Sequence, residues 1–105
     1  MKGVIWSCDS KGDGLEQLKF IQDRYEMAGV PTLGAHYKTH GAWVEFANGD
    51  SWRVASACES SRGIRANIAL IDARVSEEFV HTVILRTLIC PFGPRYYEYY
   101  YAKEE

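Results

Sequence analysis

A continuous apolar run, Ile68 to Ile71, ends directly at Asp72. Because no position in the run alternates with a polar one, both sides of this segment need to be shielded from water. That requirement is typical of a strand in a parallel sheet, which is covered on both faces. The run therefore indicates a fold that combines a sheet with covering helices, the α/β class.

Two helices are predicted, one before this strand and one after it. From Asp13 onwards apolar residues recur at helical spacing, and Gly29 is a suitable residue to end this helix. The recurring residues are Leu15, Leu18, Ile21 and Tyr25. Ser76 is a good N-cap for the second helix, and the acidic residues that follow it suit the positive end of the helix dipole. These patterns predict helices near residues 13–28 and 76–88.

A β-hairpin is the clearest local prediction. Asn48-Gly49 separates two segments rich in β-branched and aromatic residues, and Asn-Gly suits the positive φ angles of a tight hairpin turn. Together with the short apolar segment Val4 to Trp6, the hairpin completes a three-layer α/β domain with a partly parallel sheet. The predicted strands lie near residues 3–7, 42–47, 51–57 and 67–72. One domain spans residues 1–105 and ends in a tyrosine-rich tail, residues 94–105.

Charge and cysteine content argue against several classes of function. The 105 residues carry a formal net charge of −2, whereas dedicated binders of nucleic acid or membrane surfaces usually have a basic excess. No apolar stretch approaches the roughly 20 residues that a membrane span needs, so no membrane association is expected. The three cysteines, Cys8, Cys58 and Cys90, are widely spaced. This spacing predicts reduced thiols in the cytoplasm, with Cys8 and Cys90 buried and unreactive.

Asp72 has a functional interpretation and a structural alternative. An apolar strand that ends in Asp is the pattern of the acidic motif of P-loop NTPases, in which the carboxylate holds the water shell of magnesium. Many other strands end in Asp because its side chain caps the following turn. The order of the surrounding elements favours the first interpretation: strand, helix, hairpin, Arg-Gly loop, acidic strand and helix.

This order resembles the ATPase domain of phage terminase large subunits, the motors that package viral DNA. Gly3 to Ser7 and Leu15 to Ile21 look like the strand and helix after the phosphate loop. Val44 to Ser51 looks like the strand–Asn-Gly-Ser–strand segment, Ser61 to Asn67 like the Arg-Gly loop, and Ile68 to Asp72 like the Walker B strand. The resemblance covers residues 3–90 and rests on the order of these motifs.

The resemblance implies roles for three residues and a set of partners. Asp72 would coordinate Mg²⁺, and Arg62 and Arg65 would contact phosphate or a neighbouring subunit. The cofactor of the parent family is Mg·ATP. The implied partners are further copies of the chain or other subunits of the packaging motor, with DNA contacted only indirectly.

The chain departs from the terminase pattern in two places. The phosphate-binding loop GxxxxGK[ST] is absent from the 105 residues, and Ala73 stands where the family has a catalytic Glu. We therefore predict no catalytic residue and no cofactor for the isolated chain, and no ATP hydrolysis by the chain alone. It is interpreted as a truncated or degenerate copy of phage or prophage origin, located in the host cytoplasm.

Two alternative functions remain open at this point. The first is a small protein-binding, oligomerising module that reuses the fold, with its interface at Trp43, Trp52 and the tail residues Tyr97 and Tyr100. The second is a binder of single-stranded nucleic acid, in which the tyrosines of the tail stack on bases. The acidic sequence pI of about 5.9 disfavours the second alternative.

Overall fold

The computed structural model describes residues 1–8, 13–38, 41–57, 64–88 and 95–101. The chain forms a six-stranded sheet with the strand order β2-β3-β4-β1-β5-β6. The strands are β1 (Lys2–Ser7), β2 (Thr32–His36), β3 (Trp43–Phe46), β4 (Ser51–Ser56), β5 (Ile68–Asp72) and β6 (Tyr96–Tyr100). The helix α1 (Asp13–Met27) follows β1. Residues 77–87, named the C-terminal helix below, consist of α2 (Glu77–Phe79), a π-helical stretch (Val80–Ile84) and α3 (Leu85–Thr87).

The sheet is mixed. β1 pairs in parallel with both β4 and β5, and β5 pairs in parallel with β6. β2, β3 and β4 form an antiparallel meander. The prediction of an α/β domain with a partly parallel sheet is confirmed, whereas its closer likeness to a P-loop NTPase stays a prediction.

Helices cover the two faces of the sheet because the residues of β1 alternate between two hydrophobic clusters. Val4 and Trp6 pack in one cluster with Val80 of the C-terminal helix. Ile5 points to the opposite face and packs in the other cluster with Leu18 of α1. All five side chains are at most 1% exposed, so both interfaces are dry and the order of layers is helix, sheet, helix.

The helix α1 ends as its sequence predicts. Gly29 has a φ angle of +83°, a conformation that costs little only for glycine. The amide of Gly29 donates to the carbonyl of Glu26 at 3.0 Å, and the amide of Val30 donates to the carbonyl of Tyr25 at 2.9 Å. This pair of bonds is a Schellman motif, which satisfies carbonyls that the helix itself leaves unpaired.

The predicted hairpin is formed by β3 and β4. Trp43 lies opposite Arg53, and Gly49 in the connecting turn has a φ angle of +93°. The side-chain oxygen of Asn48 accepts a hydrogen bond from the amide of Asp50 at 3.0 Å, which holds the turn together. The Asn-Gly signal therefore fixed the position of this turn correctly.

Two strands were not predicted. β2 lies at one edge of the sheet, where its pairing with β3 shifts register between Thr32 and Gly34. β6 lies at the other edge and is formed by the tyrosine-rich tail, of which residues 94 and 102–105 lie outside the described residues. Both edge strands have a strand neighbour on one side only.

Candidate functional site

The carboxyl ends of four parallel strands meet at one edge of the sheet. These ends are Ser56 of β4, Ser7 of β1, Asp72 of β5 and Tyr100 of β6. Ligands of open α/β sheets bind in the crevice outside such ends, because the connecting loops gather there. Asp72 therefore lies at the edge where folds of this kind place their ligands.

The carboxylate of Asp72 is fully buried and is held by Arg74. Its side chain has 0% exposure, whereas the side chain of Arg74 is 51% exposed. Nη2 of Arg74 donates to Oδ2 at 2.6 Å, and Nε donates to both carboxylate oxygens at 3.1 and 3.2 Å. The backbone amide of Arg74 adds a fourth bond, to Oδ1 at 2.9 Å. A guanidinium with one face in water therefore neutralises a buried acid.

The environment of Asp72 keeps its carboxyl group ionised. Burial acts to raise the pKa, but the side-chain bonds from Arg74 and backbone hydrogen bonds from Arg74 and Cys8 outweigh burial, so the pKa lies below its usual value. Cys8 follows β1, so its amide also ties the end of β1 to the end of β5. The result is a charged acceptor at the carboxyl edge under neutral conditions.

An ionised carboxylate at this edge is suited to holding a cation. Arg74 supplies that cation in the structure, and its side chain is half-exposed to water. Among the described residues, no group of three or more His, Cys, Asp or Glu side chains gathers to bind a metal. Among the described residues, Asp72 would be the ligand of a magnesium ion at this edge, and water or phosphate oxygens could fill the remaining positions of its six-fold shell.

Arg65, one of the two arginines predicted to assist Asp72, does not lie beside it. Arg65 is exposed and precedes the amino end of β5, whereas Asp72 is at the carboxyl end of the strand. The strand alone separates the two ends by about 13 Å, at ~3.3 Å per residue. Arg62 lies outside the described residues. Ala73 stands where the terminase pattern has a catalytic Glu. It is exposed, and its backbone amide donates a hydrogen bond to the carbonyl of Tyr100 at 2.9 Å.

Two of the four residues predicted to form an interface, Trp52 and Tyr100, are buried within the fold. Trp52 is 7% exposed and donates from Nε1 to the hydroxyl of Tyr25 at 3.3 Å. Tyr100 is also 7% exposed and donates its hydroxyl to the carbonyl of Trp6 at 3.4 Å. Both side chains use their polar atom inside the fold, which is how tyrosine and tryptophan are usually accommodated in a core.

The other two predicted interface residues reach the surface. Trp43 on β3 is 38% exposed and Tyr97 on β6 is 41% exposed. Cys8 is exposed as well, which corrects the expectation of a buried thiol, while Cys90 lies outside the described residues. The expected burial of Cys8 was wrong because the residue falls just beyond the end of β1, where the strand leaves the core.

A second concave region, named the sheet groove below, lies on the face that carries the C-terminal helix. It has a volume of about 780 Å³ and crosses the amino ends of β1 and β4. Its charged and aromatic lining consists of Lys2, Trp43, Glu45, Trp52, Arg53 and Arg65. Sequence reasoning missed Lys2 and Glu45, although the alternation along β3 and β4 could have indicated which side chains share a face.

Comparisons with family models, curated proteins and solved structures give no match. Membership of the terminase family is therefore not shown, and the resemblance stays a prediction. No helix in the described ranges is long and apolar enough to cross a membrane.

Proposed function

We propose that the chain is a terminase-like ATPase-core domain of phage or prophage origin, linked to viral DNA packaging and inactive as an ATPase by itself. The observation that supports this proposal is the placement of Asp72. β5 lies between β1 and β6, pairs in parallel with both, and carries a buried, ionised Asp72 to the carboxyl edge. An acidic strand in this position is what holds magnesium beside a nucleotide in P-loop enzymes.

Within this proposal Arg74 is the resting counter-ion of Asp72. A buried carboxylate without a cation is strongly unfavourable, so some positive charge has to be present before a metal arrives. Arg74 meets that need from the next turn of the chain, and its 51% exposure allows it to leave. The 105 residues contain no GxxxxGK[ST] loop, so ATP hydrolysis would need this loop from another segment.

Titration with Mn²⁺, a paramagnetic substitute for Mg²⁺, tests the proposal by nuclear magnetic resonance. We expect Mn²⁺ to broaden the amide signals of Ser7 and Ala73, which lie at the carboxyl edge. Asp72→Asn should abolish this broadening, and Arg74→Ala should strengthen it because the competing cation is gone. Asp50→Asn is the matched control, since Asp50 lies at the opposite, amino end of β4. Millimolar Mn²⁺ without any broadening that depends on Asp72, even in Arg74→Ala, would overturn the proposal.

A protein-binding module is the second candidate, and the edge strand β6 favours it. Three of its side chains are large and exposed: Tyr96 at 46%, Tyr97 at 41% and Tyr99 at 45%. β6 contains neither proline nor lysine, the residues that usually protect an edge strand from pairing with another chain. The opposite edge is interrupted by the register shift in β2. An added strand would therefore pair with β6 rather than with β2.

Light scattering over a range of protein concentrations distinguishes this second function. If β6 binds a second copy, the measured mass should rise with concentration, and Tyr97→Lys should hold the chain at the mass of a monomer. Leu33→Lys is the matched control, because Leu33 is 71% exposed on the other edge strand. An equal effect of both variants, or a constant mass in the unmodified chain, would rule out the hypothesis that the chain associates with itself through β6.

A further inference from the structure

Part of one sheet face is left uncovered by the helices. The C-terminal helix packs on Val4 of β1 and on the neighbouring residues of β5. Across the sheet, Val4 is paired with Arg53 of β4, Arg53 with Trp43 of β3, and Trp43 with His36 of β2. Paired residues point to the same face, so this row continues the helix-covered face out to the edge of the sheet. Arg53 and Trp43 in the row are exposed and line the sheet groove.

Positive charge dominates the sheet groove. Lys2, Arg53 and Arg65 line it, against the single carboxylate of Glu45. None of these four forms an ion pair with another residue in the part of the chain that the structure describes. The chain as a whole has a net charge of −2, so this local excess runs against the overall balance. Unpaired cations that converge on one groove attract an anionic ligand.

A stacked aromatic pair adjoins these cations. The rings of Trp43 and His36 lie nearly parallel, at an interplanar angle of 10° and a centroid distance of 6.1 Å. Gly34 lies beneath the Trp43 ring, where an added Cβ would come within 3.3 Å of it. The absence of a side chain at position 34 therefore lets the indole lie close to the sheet, with 38% of its surface exposed.

We propose that the sheet groove binds single-stranded nucleic acid, with Trp43 stacking on a base and Lys2, Arg53 and Arg65 contacting phosphates. Cations along a groove and an exposed aromatic ring are the two features that recognise unpaired strands. A duplex fits less well because its bases are already stacked on each other. The groove lies at the amino ends of β1 and β4, whereas Asp72 lies at the carboxyl ends of the parallel strands. The inference therefore stands independently of the function proposed for Asp72.

The test measures binding of fluorescently labelled oligothymidylate and of its duplex with oligoadenylate. We expect the single strand to bind more tightly, with an affinity that falls as salt is added. Binding should quench tryptophan fluorescence through Trp43, because Trp6 and Trp52 are only 0% and 7% exposed. Trp43→Leu should remove the quenching and weaken binding about tenfold, the usual effect of losing one stacked base.

Charge variants provide a second readout that does not disturb the core. Arg53→Gln should reduce the slope of log affinity against log salt by about 0.7, because one phosphate contact is lost. Arg24→Gln is the matched control, since Arg24 is exposed on α1 and so lies on the other face. Circular dichroism and cooperative unfolding establish that each variant is folded.

Four results would overturn the inference. They are no binding of the single strand at low salt, equal or tighter binding of the duplex, unchanged quenching in Trp43→Leu, and equal changes of salt slope in Arg53→Gln and Arg24→Gln.

Discussion

The indole of Trp52 occupies the space that a side chain at Gly3 would need. The two residues are directly paired across the parallel strands β1 and β4. A Cβ at position 3 would lie 2.3 Å from Cε3 of Trp52, closer than such atoms approach each other in proteins. Trp52 is 7% exposed and held by its bond to Tyr25, so it has little room to move away.

Gly3→Ala should therefore lower the free energy of unfolding by about 2 kcal/mol, since it overpacks a rigid core site. Equilibrium unfolding in urea measures the difference. Gly34→Ala is the matched control: its Cβ would lie 3.3 Å from the half-exposed ring of Trp43, which can shift toward water. The effect there should be under about 1 kcal/mol. Equal stability of Gly3→Ala and the unmodified chain would contradict the tight contact.

Replacement of Arg74 should make the free energy of unfolding less dependent on pH in the acid range. The pKa of Asp72 is lowered in the folded chain, so ionisation of Asp72 contributes stability that is complete above the unfolded pKa of about 3.9 and is lost as pH falls through the lower, folded pKa. Near pH 7, Arg74→Gln should cost about 3 kcal/mol, because it leaves the buried carboxylate of Asp72 without its cation.

Unfolding free energies measured at neutral and at acid pH test whether the ion pair between Arg74 and Asp72 stabilises the fold. The gap in unfolding free energy between the unmodified chain and Arg74→Gln should shrink as pH falls below about 4, because Asp72 is then protonated. Arg86→Gln is the control, as Arg86 is exposed on α3 and has no ion pair among the described residues. A gap that stays constant down to low pH would show that the ion pair does not carry the stabilisation.

The elements that were predicted correctly are those specified by neighbours in sequence. The apolar run of β5, the Asn-Gly turn and the glycine that ends α1 each act over a few residues. β2 lacked such a signal, because Gly34 interrupts its alternation and its side chains are only partly buried. β6 was ambiguous because four of its five residues are tyrosines and all but Tyr100 remain exposed. Its pairing with β5 is a contact between residues distant in sequence.

The candidate site was predicted less completely for the same reason. The strand pattern placed Asp72 at the end of β5, but a pattern does not show that Arg74 turns back onto its carboxylate. Trp43 and Trp52 looked equivalent in sequence, one on each strand of the hairpin. They differ because α1 covers the face that carries Trp52, whereas the face with Trp43 is open. Only the packing of distant elements decides which aromatic residue is available to a partner.

The N-cap of the C-terminal helix provides a further test of local stability. The hydroxyl oxygen of Ser76 accepts a hydrogen bond from the amide of Phe79 at 3.2 Å. Ser76→Ala should lower the unfolding free energy by about 1 kcal/mol, because that amide loses its partner at the start of the helix. Thr82→Ala is the control within the same helix. The Thr82 hydroxyl donates to the carbonyl of Glu78, an interaction whose removal costs little in a helix interior.

Ionisation of the Tyr25 hydroxyl should make the chain less stable in alkaline solution. Burial raises its pKa to about 12; the bond from Trp52 acts in the opposite direction, and the neighbouring Asp50 raises the pKa further. The Tyr25 hydroxyl donates to Oδ2 of Asp50 at 2.7 Å, so the neutral phenol is the form that the fold binds. Its contribution is complete below the unfolded pKa of about 10 and is lost as pH rises toward 12.

Tyr25→Phe isolates this contribution. Near pH 8 the variant should be less stable by about 1 kcal/mol, the usual value of one hydrogen bond. As pH rises from about 10 toward 12, the unmodified chain should lose stability faster than the variant, which has no proton to release at this position. Tyr101→Phe makes the same chemical change at a residue that is 81% exposed and should follow the unmodified chain. Parallel pH profiles for Tyr25→Phe and the unmodified chain would show that the buried phenol is not the group responsible.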